Sequence, residues 1–201
     1  MVLKNFIVFE GIDGSGTSTQ IKLLQQSNPQ KYFSTAEPTD LPTGRFLRKM
    51  LKGEFTVDEK TNSYLFAADR CEHIYGKEGI ISKINEGKTV ISDRYFFSSL
   101  AYQASGGAKE TAELVNSTFP LPEYLFYFEI TPQISLSRVE KRNSSKEIYE
   151  TLEKQLKIAS EYEKVISFYE KKSCGMKIIR IDASKTIEQI AEEIQTILNK
   201  R

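Results

Sequence analysis

The sequence is poor in the residues that build metal centres and catalytic triads. It contains one histidine, His73, and two cysteines, Cys71 and Cys174, which lie far apart without the spacing of metal ligands. A cluster of histidine ligands is therefore excluded, and so is a catalytic triad with a histidine to spare. Because isolated cysteines are typical of a reduced protein, we expect a cytoplasmic location.

The sequence also lacks an excess of charge and a long apolar run. Its 28 basic residues nearly cancel its 27 acidic residues, which argues against binding nucleic acid or an anionic membrane through bulk charge. No apolar stretch reaches the roughly 18 residues that a membrane span needs. Because a strand is predicted from residue 5, we expect no signal peptide. The 201 residues suit a single domain, which we expect to cover 1–201.

The most informative segment is the glycine-rich stretch from Gly11 to Ser18, which follows an apolar run and precedes a helical pattern. It has the spacing of the phosphate-binding P-loop, G-x-x-x-x-G-K-[ST], except that Thr17 replaces the lysine. Its glycines let several backbone N–H groups face one phosphate, and the next helix adds the positive end of its dipole. Ser18 supplies a hydroxyl where Mg²⁺ would sit. The alternative is a plain glycine-rich turn.

Apolar runs typical of buried strands alternate with helical patterns along the chain. Predicted strands cover 5–10, 32–37, 88–92, 124–130 and 176–181, and predicted helices include 18–26, 43–51, 96–103, 134–141 and 147–171. This order predicts an α/β fold with a doubly wound, five-stranded parallel sheet flanked by helices. Ligands bind beyond the carboxyl ends of such strands. We expect the P-loop, Glu37-Pro38-Thr39 and Asp93-Arg94-Tyr95 to share that rim.

Two further helical patterns specify which faces should be buried. Thr56 and Glu59 have the spacing of a capping box that opens a long helix, with an apolar stripe at Tyr64, Ala67, Cys71 and Ile74. The helix predicted over 147–171 should bury Leu152, Leu156, Ala159, Tyr162 and Ile166, and the last helix should bury Ile187, Ile190, Ala191, Ile194 and Ile197.

Two pairs of side chains are candidates for the chemistry. Asp93 follows a strand where a P-loop protein places a carboxylate near Mg²⁺, and Arg94 beside it can grip phosphate oxygens. A surface Asp-Arg pair is the alternative. Phe66 and Arg70 lie four apart and share a helix face, so they could stack on a base and hydrogen-bond its edge. A core phenylalanine with an exposed arginine is the other interpretation.

Together these segments resemble the thymidylate kinases, and the resemblance covers nearly the whole chain. The segments that carry it are Phe9-Glu-Gly-Ile-Asp-Gly-Ser-Gly16, Glu37-Pro38-Thr39, Leu65-Phe-Ala-Ala-Asp-Arg70, Asp93-Arg-Tyr-Phe-Phe-Ser-Ser-Leu-Ala-Tyr-Gln103 and Asp182-Ala-Ser184. The resemblance implies a P-loop kinase fold with a short lid at roughly 141–150. It also implies transfer of the γ-phosphoryl group of ATP to dTMP with Mg²⁺, and a homodimer. From the charge balance and the lack of a long apolar run we expect no nucleic-acid or membrane partner.

The resemblance assigns roles residue by residue. The residues implied to bind ATP and its phosphates are Gly11, Asp13, Gly14, Ser15, Gly16, Thr17, Ser18, Thr19, Arg138 and Ser184. Those implied to bind dTMP are Asp13, Glu37, Arg48, Phe66, Arg70, Arg94, Ser99, Tyr102 and Gln103. The implied catalytic residues are Asp93, Arg94, Arg142 and Lys146, with Ser18 and Asp93 at Mg²⁺.

Within these sets the resemblance gives several side chains a specific task. Asp13 receives the sugar 3′-hydroxyl. Phe66 stacks on thymine, and Arg70 bonds its exocyclic oxygen. Tyr102 crowds the 2′ position and disfavours ribose. Arg94 bridges the acceptor and donor phosphates, and Arg138 stacks on adenine.

Two departures from the family pattern concern phosphate charge. Thr17 replaces the P-loop lysine, and Gly14 stands where some members have arginine. Such members supply the charge from the lid, which here contains Lys141, Arg142 and Lys146. The missing lysine leaves open a nucleotide-binding protein without catalysis, and a kinase for another deoxynucleotide or for a nucleoside is a third possibility.

Overall fold

The computed structural model describes residues 1–141 and 151–200. Strands and helices alternate along these ranges. The strands are β1 (Val2–Glu10), β2 (Tyr32–Ala36), β3 (Thr89–Asp93), β4 (Leu121–Glu129) and β5 (Lys177–Asp182). The helices are α1 (Thr17–Ser27), α2 (Pro42–Leu51), α3 (Glu59–Tyr75), α4 (Ile80–Asn85), α5 (Phe96–Ser105), α6 (Lys109–Asn116), α7 (Pro132–Glu140), α8 (Leu152–Lys171) and α9 (Ile187–Asn199).

Within the described residues the strands form one parallel sheet in the order β2-β3-β1-β4-β5. The predicted five-stranded α/β fold is confirmed. The order reverses direction at β1, which lies at the centre between β3 and β4. A cleft is expected at such a reversal, just beyond the carboxyl end of β1, where the P-loop begins.

Successive side chains of β1 point to opposite faces of the sheet and enter two separate cores. Phe6 and Val8 belong to the core that α2, α3, α5 and α8 cover, whereas Ile7 and Phe9 belong to the core beneath α1 and α9. Apolar residues on both faces of a strand require helices on both sides, because neither face can be left in water.

Helix α3 differs from its prediction in both its cap and its buried face. Its N-cap is Asp58, whose side chain accepts from the backbone N–H of Lys60, so the capping box predicted at Thr56 and Glu59 is wrong. Of the predicted stripe, Tyr64 and Cys71 are exposed and Ile74 is buried. The buried face is mainly polar and consists of Asn62, Ser63, Asp69, Arg70, His73 and Ile74.

The sequence prediction missed two helices and assigned some exposed residues to the buried faces of α8 and α9. Helices α4 and α6 had no counterpart in the sequence prediction. In α8, Leu152 and Leu156 are 44% and 47% exposed, so they do not lie on the buried face, which contains Gln155, Ile158, Tyr162 and Ile166. In α9, Ile187 is 50% exposed. Among the described residues we find no helix that combines the length and apolar character of a membrane span.

Candidate active site

The three predicted rim segments meet beyond the carboxyl ends of β2, β3 and β1, as expected. They line a cleft of about 270 Å³ together with side chains from α3 and α5. The described lining includes fourteen predicted site residues, namely Asp13, Gly14, Gly16, Thr17, Ser18, Glu37, Arg48, Phe66, Arg70, Asp93, Arg94, Ser99, Tyr102 and Gln103. A larger cavity of about 770 Å³ lies between α5, α6 and α8, but its described lining contains none of these residues.

The P-loop has the backbone conformation that its glycines allow. Gly14 and Gly16 have φ angles of 85° and 99°, a region that favours glycine. A Cβ on Gly14 would lie 2.5 Å from the carbonyl oxygen of Ser135, so α7 packs too closely for a side chain. Gly16, Thr17 and Ser18 all line the cleft at the start of α1. The positive end of the α1 dipole therefore faces the space where phosphate would bind.

Ser18 and Asp93 lie together at the mouth of this loop. The Ser18 hydroxyl donates a hydrogen bond to Oδ2 of Asp93 across the gap between α1 and β3. A hydroxyl and a carboxylate in contact are the protein ligands with which Mg²⁺ is held beside nucleotide phosphates. The chemistry of this pair therefore fits the predicted Mg²⁺ site.

Arg94 is held at the floor of the cleft by contacts with the P-loop. Its Nη1 donates to the carbonyl oxygen of Gly11 at 3.0 Å, and its Nη2 lies 2.5 Å from Oδ1 of Asp13. The backbone of Arg94 has φ 72°, a left-handed conformation that is uncommon for a residue with a side chain. Strain of this kind is found where a functional side chain must be aimed.

Tyr102 covers the same ion pair from α5. Its ring lies 5.3 Å from the Arg94 guanidinium carbon, and its hydroxyl donates to Oδ2 of Asp13 at 3.2 Å. Gln155, on α8, donates to that oxygen at 3.0 Å. The P-loop carboxylate is therefore fixed by side chains from the turn after β3, from α5 and from α8. Burial raises the pKa of Tyr102 well above 10, so its hydroxyl keeps its proton.

Phe66 and Arg70 both line the cleft. Their burial is the opposite of what the alternative of a core phenylalanine and an exposed arginine predicts. Arg70 is only 1% exposed, whereas Phe66 is half-buried. Both Nε and Nη2 of Arg70 contact Oε2 of Glu37, at 2.8 and 2.6 Å. Its Nη2 also donates to Ser99 at 3.0 Å, and its Nη1 donates to Asn116. The guanidinium is thus held in one orientation in the lining of the cleft.

The carboxylate that holds Arg70 is itself oriented by the only histidine of the sequence. Glu37 Oε1 lies 3.0 Å from Nδ1 of His73, whose Nε2 lies 2.7 Å from the hydroxyl of Thr35. All three side chains are buried or half-buried. The chain of polar contacts therefore runs from β2 through α3 to the cleft, and it gives His73 a structural task that spacing alone does not indicate.

Arg48 reaches the cleft from α2, and the turn after β2 determines its position. It donates through Nη2 to the carbonyl oxygen of Pro38. Asp69 holds the same turn, since it accepts from the N–H and the hydroxyl of Thr39 at 2.8 and 2.6 Å. A Cβ on Gly44 would lie 2.1 Å from the Thr39 carbonyl oxygen, so only glycine permits this approach of α2.

Some predicted residues lie outside the cleft. Arg138 in the last turn of α7 and Ser184 after β5 are not in its described lining. The Ser184 hydroxyl donates to Asp182 at 2.6 Å. Gly11, Ser15 and Thr19 belong to the P-loop and the first turn of α1 without lining the cleft. Arg142 and Lys146, and nearly all of the segment 141–150, lie outside the described residues.

Sequence reasoning missed a buried carboxylate beneath the site. Glu10, at the end of β1, is 0% exposed and accepts hydrogen bonds from the N–H of Tyr95 at 2.8 Å and from the hydroxyls of Ser98 and Tyr162 at 2.6 and 2.8 Å. Burial raises the pKa of Glu10 from 4.5 to about 7, although Arg94 and these hydrogen bonds oppose that rise. Glu10 could have been recognised in the sequence as a charged residue at the end of an apolar strand. Nothing in the sequence distinguished Tyr162 from an ordinary core residue.

Comparison with known proteins agrees with the resemblance seen in the motifs. A sequence model described as thymidylate kinase matches residues 9–194. The chain is 40% identical over 196 residues to a protein of Treponema pallidum (strain Nichols), covering 96% of this chain and 94% of the relative. It is 38% identical over 196 residues to the thymidylate kinase of Leptospira interrogans serovar copenhageni, covering 94% of this chain and 90% of that protein.

Proposed function

The chain belongs to the thymidylate kinase family and phosphorylates dTMP to dTDP with ATP, a step that feeds dTTP synthesis, and we propose that the reaction takes place in the cleft beside Arg94. One observation carries this proposal. The P-loop, the Ser18–Asp93 pair and the Phe66–Arg70 pair line one cleft together with Arg94, which contacts the P-loop at Gly11 and Asp13. A phosphoryl donor and a base-bearing acceptor could therefore meet at Arg94.

The donor end would hold ATP by its phosphates. Backbone N–H groups at the start of α1 and the helix dipole attract the phosphate oxygens. Ser18 and Asp93 would hold Mg²⁺, which, when bound, neutralises charge on the phosphates. Arg138 and Ser184 would lie near adenine, as the resemblance implies. The resemblance also assigns Arg142 and Lys146 to the transferring phosphoryl group.

The acceptor end would select dTMP. Phe66 would stack on thymine, and Arg70 would donate to its exocyclic oxygen while Glu37 holds the guanidinium. Ser99 and Gln103 also line the cleft, and Ser99 accepts a hydrogen bond from Arg70. Asp13 would receive the 3′-hydroxyl and Tyr102 would crowd the 2′ position. Arg48 and Arg94 would bind the 5′-phosphate, whose oxygen attacks the γ-phosphorus as the bond to ADP breaks.

The proposed homodimer has a candidate face on α2, α3 and α6. The exposed apolar side chains there are Phe46, Tyr64, Tyr75 and Leu114, which are 45%, 57%, 54% and 68% exposed. Tyr64 and Tyr75 lie eleven residues apart, three turns along one face of α3. Tyr64→Asp combined with Leu114→Asp should convert a dimer to a monomer in light scattering, whereas Phe168→Asp, on α8, should not. A monomeric parent protein would refute the dimer.

We also propose that residues 1–201 form a single kinase domain located in the cytoplasm. The exposed thiol of Cys71 supports a reducing compartment.

The activity is tested by incubating the purified protein with ATP and Mg²⁺ and with dTMP, dUMP, dCMP or thymidine in parallel. We expect dTDP as the main product, identified by chromatography, and little phosphorylation of thymidine, because Arg48 and Arg94 need an acceptor phosphate. Arg94→Gln serves as a control for contaminating kinases and should lose most of the activity. Nucleotide binding without dTDP formation would support the non-catalytic alternative, which no observation on the described residues favours.

A further inference from the structure

A buried polar cluster lies directly beneath the guanidinium of Arg94. It consists of Glu10 from β1, Ser98 from α5 and Tyr162 from α8. The hydroxyls of Ser98 and Tyr162 lie 2.8 Å apart, and both donate to Oε2 of Glu10. Tyr162 is 0% exposed and comes from a helix that provides none of the predicted site residues.

This cluster contacts Arg94 through a single nitrogen. Nη1 of Arg94 approaches the Tyr162 hydroxyl at 3.2 Å, the Ser98 hydroxyl at 3.3 Å and the Gly11 carbonyl oxygen at 3.0 Å. Nη2 is directed instead to Asp13. Nη1 is therefore surrounded by acceptors, and these acceptors restrict how the guanidinium is rotated.

The backbone of Arg94 is fixed in the same way. Its N–H donates to the carbonyl oxygen of Phe9 at 2.9 Å, and its own carbonyl accepts from the Ser92 hydroxyl at 2.7 Å. With the main chain held in a left-handed conformation, the remaining freedom of the residue lies in its side-chain torsions. Hydrogen bonds to Nη1 restrict those torsions, and a guanidinium needs the correct rotation for bidentate contact with phosphate.

We propose that Tyr162 is a positioning residue for phosphoryl transfer, which holds Nη1 of Arg94 so that the rest of the guanidinium is aimed at the phosphates. This inference rests on the role of Arg94 in the proposed function. Glu10 orients the Tyr162 hydroxyl, because it accepts the hydrogen bond that the hydroxyl donates and leaves the oxygen lone pairs to Arg94. Burial raises the pKa of Tyr162 well above 10, which keeps that proton in place.

The Tyr162→Phe variant removes one hydroxyl and keeps the ring that packs in the core. We expect kcat to fall about tenfold, the scale of one hydrogen bond to a charged group. The KM values for dTMP and ATP should stay within about twofold, because misrotation of Arg94 affects mainly the transition state. The matched control is Tyr127→Phe, whose ring lies 5.6 Å from that of Tyr162 and which is also buried; it should keep the parental kcat.

A merely structural role for Tyr162 is separated from positioning by a double-mutant cycle. Single-turnover transfer at saturating ATP and dTMP is measured for the parent protein, Tyr162→Phe, Arg94→Gln and the double variant. If Tyr162 acts through Arg94, its loss should have less than about a twofold effect in the Arg94→Gln background. An equal penalty in both backgrounds would overturn the proposal, and so would a parental rate for Tyr162→Phe.

Two further results keep the test decisive. Ser98→Ala removes a second acceptor of Nη1, and its penalty should likewise disappear in the Arg94→Gln background; this pair decides the matter if Tyr162→Phe does not fold. If Arg94→Gln is as active as the parent protein, the proposed role of Arg94 fails, and the positioning role fails with it. If Arg94→Gln is impaired and Tyr162→Phe is not, only the positioning role is lost.

Discussion

The hydroxyl of Ser18 donates a hydrogen bond to the carboxylate of Asp93, which joins the first turn of α1 to the end of β3. The two residues are 75 positions apart in the sequence, and the parallel pairing of β1 with β3 brings them together, since it aligns Phe9 with Asp93. This contact is the structural basis for placing Mg²⁺ there.

Loss of either side of this pair should raise the Mg²⁺ requirement. We expect Ser18→Ala and Asp93→Asn to need a higher Mg²⁺ concentration for half-maximal activity, because each removes an oxygen that would hold the ion or one of its waters. The measurement is a Mg²⁺ titration of dTDP formation at fixed ATP. Ser27→Ala, at the far end of α1, is the control. An unchanged Mg²⁺ midpoint in both variants would place the ion elsewhere.

The second prediction concerns Arg70 and its buried partner. Arg70→Ala should raise the KM for dTMP strongly. It should also lower the free energy of unfolding by about 3–5 kcal/mol, because it leaves the Glu37 carboxylate buried without its cation. Adding Glu37→Gln should restore much of that stability without restoring the KM. Chemical denaturation and steady-state kinetics measure the two effects.

The outcome of the double variant assigns the role of Arg70. A dTMP KM that returns to the parental value would mean that Arg70 is a structural residue only. A fall in kcat with an unchanged KM for dTMP would count against base recognition.

Tyr102 should exclude ribose through its ring and support Asp13 through its hydroxyl. Tyr102→Phe should keep the preference for dTMP over ribothymidine 5′-monophosphate, whereas Tyr102→Ala should reduce it. The alanine variant should also lose activity, because Arg94 loses the ring that lies 5.3 Å from it. The ratio of kcat/KM for the two nucleotides is the measurement. If the alanine variant keeps the selectivity of the parent protein, Tyr102 is not the residue that excludes ribose.

The absence of a P-loop lysine leads to a prediction about charge supply. Thr17 lines the cleft, and we expect Arg142 and Lys146, which lie outside the described residues, to supply the missing positive charge. Neutralising both to glutamine should lower kcat by ~10³ or more. Thr17→Lys should rescue part of that loss in single-turnover transfer. Lys60→Gln combined with Lys200→Gln removes the same net charge elsewhere as a control. A double variant with the parental rate would point to Arg94 as the source.

Glu10 should make stability depend on pH in an unusual direction. Its pKa is raised from 4.5 to about 7 by burial, so the folded protein retains a proton that the unfolded chain releases between these values. The free energy of unfolding should therefore fall by about 3 kcal/mol as pH rises from 4.5 to 7, and then level off. Glu10→Gln should flatten this part of the profile, measured by denaturation at several pH values, while the exposed Glu192→Gln should not. Parallel profiles for the parent and Glu10→Gln would contradict the assignment.

The sequence was sufficient to predict the sheet and the meeting of the three motif segments at one rim of it. Strands with uninterrupted apolar runs and a P-loop behind the first of them left few possible topologies. The polar contacts were less accessible, because they join residues far apart in the chain. His73 on α3 contacts Thr35 on β2 and Glu37 just after that strand. Tyr162 contacts Glu10, which lies 152 positions earlier in the sequence.

The errors on α3 have the same physical origin. Periodicity assigns the apolar side of a helix to the core. On α3 the inward positions are taken by Asp69, Arg70 and His73, whose partners lie on other elements, and Tyr64 and Cys71 point outward. A pattern method cannot anticipate that buried charges will be satisfied by residues from β2 and the turn after it, and from α5 and α6.

The polar inner face of α3 limits how the substrate range of this enzyme can be engineered. Arg70 is predicted to donate a hydrogen bond to the base, and the same guanidinium donates to Glu37 and to Asn116 on α6, which holds α3 in place. A substitution at position 70 that changes the preference for the base therefore also changes the stability of the fold. Variants for other pyrimidine nucleotides will be recovered more readily from libraries that vary positions 37, 70, 73 and 116 together than from libraries that saturate position 70 alone.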